Sequence, residues 1–331
     1  MSAGPALASL GARLRGAGLT PRALEAWAGT ARIAALPAQL EAAPPRRETP
    51  AAAVLALFVG GAEVARAELR LAGDLVDALI ASDLVEHSAS ASLRARVAIV
   101  PLGRGLVVCD RLDAHVEREL VCWPDDSSHH LAAAIPPGRR DDWLELGCGS
   151  AVAPIERPEL ASRIAGIDIN PRALRYAALG TALSGISHAA FAIGDIGAPP
   201  LAPAELVTCN APIPDRAEEM SALGIPEVWR RADRGFFERL WPALPRAVRP
   251  GGIIVVHAVS EAIAAGLEDA RGERVVVSYT PAGVPGFAVA WWRPDGPDRF
   301  VFARRELSPD RPHLDARDRE DALAPPPSDP C

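Results

Sequence analysis

From Trp143 onward, short apolar runs alternate with segments of helical spacing. That alternation restricts the fold more than any other feature of the chain. The runs are Trp143–Leu146, Ile164–Ile169, Ala189–Ile193, Glu205–Cys209 and Gly252–Val259. Strands linked through helices form a parallel sheet covered on both faces. Three further runs follow with no room for helices between them: Arg274–Tyr279, Phe287–Trp292 and Phe300–Arg304. The last two are joined by Pro294-Asp295-Gly296-Pro297-Asp298, a strong turn sequence. The pattern predicts an α/β fold whose sheet is mostly parallel and finishes in antiparallel strands.

The N-terminal part reads differently. Residues 1–50 are Ala-rich, with Thr20-Pro21 as a helix start: Thr for the N-cap and Pro for the first helical position. Pro44-Pro45 breaks that segment. Residues 51–124 form a second region. Three short helices are expected over 51–87, then two strand-like runs, Arg96–Val100 and Leu106–Cys109, flanking the turn Leu102-Gly103-Arg104-Gly105. Helices followed by a hairpin resemble a winged helix. Residues 125–307 hold the α/β domain, and the polar, Pro-rich residues 308–331 are expected to be a disordered tail.

Composition narrows the partners. All basic residues are Arg, and the net charge is −7. Residues 1–140 balance 15 Arg against 15 Asp and Glu, so all excess acid lies beyond them. An extended nucleic-acid duplex wants a basic stripe, which neither half supplies. No run reaches the roughly 18–20 uncharged apolar residues of a membrane span. The first ten residues lack a basic stretch before an apolar run, so no secretion signal is expected there. The five cysteines have no Cys-x-x-Cys spacing, and His129 and His130 are adjacent, so no metal site is expected. A reducing cytoplasm is the expected setting. Nothing here speaks to oligomeric state.

The first strand of the sheet closes on Glu145-Leu146-Gly147-Cys148-Gly149. Glycines there let the backbone turn sharply and approach a ligand, at the strand ends where open α/β sheets bind. Asp168 ends the second strand, 21 residues after Gly147, where an acid can accept both hydroxyls of a ribose. Two nucleoside cofactors compete. A dinucleotide site wants a third glycine, but Val152 stands there, and Pro154 and Pro158 shorten the helix that would seat a pyrophosphate. Glu145 would repel phosphates. A cofactor with a cationic end and no phosphate fits better, which favours S-adenosylmethionine over an NAD-linked oxidoreductase.

Here the chain resembles the class I S-adenosylmethionine-dependent methyltransferases. Glu145–Gly149 looks like their first motif, Asp168 with Ile169 like the ribose-binding strand end, and Gly194-Asp195 with Ile196 like the adenine-binding one. The resemblance covers about residues 125–307 and implies a Rossmann-like methyltransferase sheet, preceded by a smaller winged-helix-like domain. It also implies that Glu145, Gly147, Cys148, Gly149, Asp168, Ile169, Asp195, Ile196 and Asn210 contact S-adenosylmethionine. One departure is Ser150-Ala151, where a further Gly is common.

The fourth strand run leads into Asn210-Ala211-Pro212-Ile213-Pro214. One branch of the family carries Asn-Pro-Pro followed by Tyr or Phe here and methylates planar amides and aromatic amines. In that branch the Asn oxygen and the next carbonyl accept the target's N–H bonds, and proline preorganises the loop. By that likeness Asn210, Ala211 and Pro212 are the catalytic candidates. Ile213 replaces the aromatic, a stacking surface worth roughly 1–3 kcal/mol for a base. The implied reaction is N-methylation of an amide or amine, with protein, RNA and small-molecule acceptors all open. The alternative is a non-catalytic nucleoside-binding or regulatory protein with a degenerate domain. Asp125–Leu131 precedes the first motif, and its Ser127, Ser128, His129 and His130 are further candidates for cofactor or substrate contact, His as a general base. Phe237 and Trp241, four apart, read as core.

Overall fold

The structure is a computed structural model that describes residues 3–30, 32–42, 48–88, 91–114, 119–198, 202–213, 235–280, 286–308 and 310–324. Pro214 and Trp229 lie outside the described residues. The helices are α1 (Ala3–Gly16), α2 (Pro21–Ala28), α3 (Leu36–Ala42), α4 (Pro50–Phe58), α5 (Arg66–Leu69), α6 (Gly73–Ala81), α7 (Asp126–Ala134), α8 (Val152–Glu156), α9 (Pro171–Leu183), α10 (Phe236–Ala247), α11 (Ser260–Leu267) and α12 (Ala316–Leu323). The strands are β1 (Val64–Ala65), β2 (Val85–His87), β3 (Ser92–Ala95), β4 (Ala98–Leu102), β5 (Gly105–Cys109), β6 (Arg140–Leu146), β7 (Ala161–Asp168), β8 (Ala189–Ile193), β9 (Ala204–Asn210), β10 (Val248–Val259), β11 (Glu273–Tyr279), β12 (Phe287–Arg293) and β13 (Arg299–Arg304). Two compact units divide them. One takes Met1–Asp126, Cys148–Pro158 and Asn170–Ile193; the other takes Ser127–Gly147, Glu159–Ile169 and Gly194–Cys331.

In the first unit, local sequence sets the helix ends. Thr20 Oγ1 accepts from Ala23 N at 3.2 Å with Pro21 behind it, and Gly29 leaves the helix at φ 72°. Thr49-Pro50 repeats the device at α4, with Thr49 Oγ1 accepting from Ala52 N at 3.1 Å. The three helices expected over 51–87 are α4, α5 and α6. They come with a small antiparallel sheet in the order β1-β3-β2. The expected hairpin forms as β4 and β5 around Gly103, at φ 51°, but it is a two-stranded sheet of its own. At α9, Asn170 Oδ1 accepts from Arg172 N at 2.9 Å and Pro171 takes the first position, as the sequence indicates. Gly11 on α1 lies against the Leu183 carbonyl at the end of α9; a Cβ there would overlap it. Asp110 is buried and fully used, accepting from Arg172, from Tyr176 at 2.9 Å and from Val121 N at 2.8 Å.

The second unit is built on a twisted sheet in the order β13-β11-β12-β10-β9-β6-β7. The pairs β10/β9, β9/β6 and β6/β7 are parallel, as the alternation predicts. The sheet finishes in antiparallel pairs as expected, with β12 antiparallel to both β10 and β11, but β13 runs parallel to β11. The turn at 294–298 therefore does not close a hairpin, because β11 lies between β12 and β13. Residues such as Val207, Ile254, Val256 and Ala290 fill the core against Leu240 and Leu244 of α10 and Ile263 of α11. Phe237 and Trp241 stack at 6.3 Å and pack on this core.

The tail also differs. Residues 310–324, expected to be disordered, carry α12, and 325–331 lie outside the described residues. Asp315 caps the helix, with a reciprocal bond between Asp318 and the Asp315 backbone. Asp318 is buried and accepts from Arg305 at 2.5 Å and Arg311 at 3.0 Å, and Leu314 is buried. A high charge content reads as disorder, but here the charges are paired with one another.

Candidate active site

Strand register assembles the site at the carboxyl edge of the second unit's sheet. Leu146 pairs with both Ile167 and Cys209, so Asp168 on β7 and Asn210 on β9 each stand one residue beyond it, flanking Gly147. Side chains alternate along strands, and Glu145 pairs with Gly166 and Thr208. Glu145, Asp168 and Asn210 therefore share one face of the sheet.

Glu145 is buried, and its Oε2 has no hydrogen-bond partner among the described residues. Burial, and then the nearby Asp168 carboxylate, push its carboxyl well above the usual carboxylate range. An unpartnered buried carboxyl is costly unless a ligand completes it. Gly147 turns at φ 62°, and a Cβ there would meet nothing within 4 Å. Ile169, just past Asp168, is 73% exposed, an uncovered apolar side chain at the strand end. Gly194 N donates to the Asp168 carbonyl at 3.1 Å, which seats Asp195 near the end of β7. Asp195 Oδ1 accepts from Gly197 N at 2.7 Å and lies 3.8 Å from Arg239 Nε, so this oxygen closes its own turn. Ile196 packs into the core, so its side chain is not on open surface.

Cys148 and Gly149 fall in the first unit. Cys148 is buried, and Gly149 turns at φ 50°. Ala151, where a glycine is common, adopts the left-handed region at φ 58° and N-caps α8. That conformation costs an L-residue roughly 1–2 kcal/mol, so the backbone keeps the glycine-type turn without the glycine.

Asn210 is held on both sides of its amide. Its Nδ2 donates to Ser127 Oγ at 2.8 Å and reaches Ser128 Oγ at 3.4 Å, both at the start of α7. Its Oδ1 accepts from His257 Nδ1 at 2.9 Å. Ala211 N donates to the His257 carbonyl at 2.9 Å and Ala211 is buried; Pro212 and Ile213 are half-buried. Behind the ring, His257 Nε2 meets Tyr279 Oη at 2.8 Å. Burial pushes His257 down to about 3, so it is neutral at ordinary pH.

The segment before the first motif is therefore partly as expected. Ser127 and Ser128 reach the site by holding Asn210. His130 does not: it is buried, its Nδ1 accepts from Leu314 N at 2.8 Å, and burial pushes it down to about 2. It stacks on Tyr279 at 4.1 Å and is a packing residue, not an accessible base. His129 faces His313 at 5.3 Å. His257 and Tyr279 were not singled out from sequence. Both sit inside apolar strand runs, and only the register of β10 with β9 brings His257 beside Asn210. Among the described residues no cluster of His, Cys, Asp or Glu could hold a metal, and no helix is long and apolar enough to cross a membrane.

Residues 139–277 match the methyltransferase domain family. No curated protein matches the chain. Solved structures give low likenesses. A TehB-like SAM-dependent methyltransferase from Corynebacterium glutamicum is 13% identical, over 50% of this chain and 87% of that one, with TM-score 0.35. The N-methyltransferase NodS from Bradyrhizobium japonicum, in complex with S-adenosyl-L-homocysteine, is 19% identical, over 50% of this chain and 84% of that one, with TM-score 0.37. Likenesses of this size carry nothing about the acceptor. The residues present do fit the cofactor: a buried carboxyl with one oxygen unpartnered among the described residues for a positive end, an open glycine turn, an acid at the end of β7 and an apolar side chain beside it. Residues 139–277 match the methyltransferase domain family, and the residues brought together there suit S-adenosylmethionine.

Proposed function

We propose that the chain methylates a nitrogen acceptor presented at Asn210. The observation that carries this is the state of the Asn210 amide. Its NH2 is spent on Ser127 and Ser128, and its oxygen accepts one bond from His257. An amide oxygen has two lone pairs, so one has no partner among the described residues. The group facing a substrate is thus an acceptor, suited to an N–H bond and unsuited to a bare carbonyl or alkoxide.

S-adenosylmethionine, when bound, supplies an electrophilic methyl on a sulfonium. The chain's own residues do the rest. In this reading Glu145 faces the positive end, the Gly147 backbone makes room for it, Asp168 takes the ribose hydroxyls, and Ile169 and Asp195 bound the adenine. Asn210 Oδ1 and the Ala211 carbonyl hold acceptor N–H bonds, which leaves the nitrogen lone pair free to attack. Pro212 stiffens the loop. The acceptor's displaced proton leaves to solvent, since neither His257 nor His130 is free to take it.

We read residues 51–124 as a winged-helix-like packing module. The element order α4-β1-α5-α6-β2-β3 and the sheet order β1-β3-β2 support that reading. Asp74 and Asp77 are exposed on α6, which carries no basic residue, and this speaks against contact with a nucleic-acid duplex.

The test is transfer of a labelled methyl from S-adenosylmethionine to fractionated cell lysate, with RNase and protease arms. Label on a nitrogen of any fraction is the expected result. Label on oxygen or carbon alone would overturn the nitrogen reading, and the two digestions assign the acceptor class.

A further inference from the structure

We propose that His257 is a positioning residue: with Tyr279 behind it, it fixes which end of the Asn210 amide faces the acceptor. This rests on the nitrogen-acceptor reading above. The two ends of an asparagine amide have nearly the same shape, so only their partners decide the orientation. On the α7 side those partners are the Ser127 and Ser128 hydroxyls, which can donate or accept. On β10 the partner is an imidazole, whose tautomer selects the amide end it meets.

His257 and Asn210 are register partners on adjacent parallel strands, and His257 is 1% exposed. A neutral imidazole has one donor and one acceptor nitrogen. The Tyr279 hydroxyl lies 2.8 Å from Nε2. A phenol donates better than it accepts, because its oxygen lone pair is drawn into the ring. Tyr279 therefore donates to Nε2, which leaves the proton on Nδ1. Nδ1–H donates 2.9 Å to Asn210 Oδ1, and the NH2 is turned to Ser127. The reverse chain would make the phenol an acceptor and turn the NH2 toward His257.

Aromatic packing holds the ring plane. Phe287 lies 5.6 Å from His257 at 12°, and His130 lies 6.0 Å away at the same angle while stacking on Tyr279. The device thus spans β9, β10, β11 and β12 and needs no charge.

The direct test is imidazole 15N NMR on the full chain with labelled histidine, the His257 signal being assigned by its loss in His257→Gln. At pH 7 the expected form is neutral with the proton on Nδ1. A proton on Nε2, or a charged ring, would overturn the proposal without touching the nitrogen-acceptor reading. A second arm follows methyl transfer from labelled S-adenosylmethionine to the lysate fraction that accepts it. His257→Phe is expected to slow transfer about tenfold, the size of one lost hydrogen bond, with the KM for S-adenosylmethionine unchanged. His257→Gln, which keeps a donor, should recover part of that loss. Equal rates in His257→Phe and wild type would remove the positioning role even with the expected tautomer. A full rate in Asn210→Ala would instead remove the reading on which it rests.

Discussion

Asn210 and His257 are joined twice: their backbones are register partners in the parallel pair β9/β10, and their side chains meet at 2.9 Å. The first relation comes from the sheet and the second from chemistry at its edge. A strand that ends on an amide must satisfy four hydrogen-bonding positions. Among the described residues, protein groups take the NH2 side and one lone pair, and one lone pair is left.

Asp168 is expected to carry much of the cofactor affinity. Replacing it by Ala should weaken S-adenosylmethionine about 10–100-fold, the worth of charge-assisted bonds to hydroxyls. Titration calorimetry checks this, and an unchanged affinity would contradict the ribose role.

Glu145 combines a raised carboxyl pKa with an unpartnered oxygen. Binding of a cationic ligand end should favour its ionised form, so S-adenosylmethionine binding should release protons. Calorimetry in buffers of different ionisation enthalpy reads this directly. The release should vanish in Glu145→Gln, with affinity down about tenfold, a cost of roughly 1.4 kcal/mol.

His257 and His130 are buried neutral, pushed down to about 3 and about 2. In the unfolded chain they regain the ordinary value near 6.5. Below that value the unfolded state binds protons that the folded state refuses. Stability is therefore full above pH 6.5 and falls as pH drops from there toward 3, by about 1.4 kcal/mol per pH unit for each histidine. Urea melts at stepped pH check it: the His257→Gln curve should be shallower than wild type, and parallel curves would contradict it.

Asp318 accepts from both Arg305 and Arg311 and closes the α12 capping box. Asp318→Ala should cost about 2–3 kcal/mol of stability by leaving the mostly buried Arg305 without its acid partner. A denaturant midpoint equal to wild type would mean that residues 310–324 do not support the fold.

Much of the site was legible because its chemistry is local in sequence. Gly147 and Gly149 end a strand-like run, Asp168 ends the next, and Asn210 ends another, so periodicity alone puts them at strand ends. His257 and Tyr279 lie 47 and 69 residues beyond Asn210, and a polar residue in an apolar run reads as core. Only strand register gives them a role. The order of β11, β12 and β13 failed for the same reason: a strong turn indicates a hairpin, yet pairing is settled by which strand inserts between the others. The tail misled through composition, although Asp315 and Asp318 at capping-box spacing were a readable signal.

The most direct test of the central claim is the rate of methyl transfer by Asn210→Ala, measured beside its affinity for S-adenosylmethionine. The account expects transfer to the accepting lysate fraction to fall about 100-fold, as when a preorganised polar contact is removed from an active site, while cofactor affinity stays within about twofold of wild type, a difference under about 0.5 kcal/mol. A full transfer rate, or a loss of rate matched by an equal loss of cofactor affinity, would contradict it.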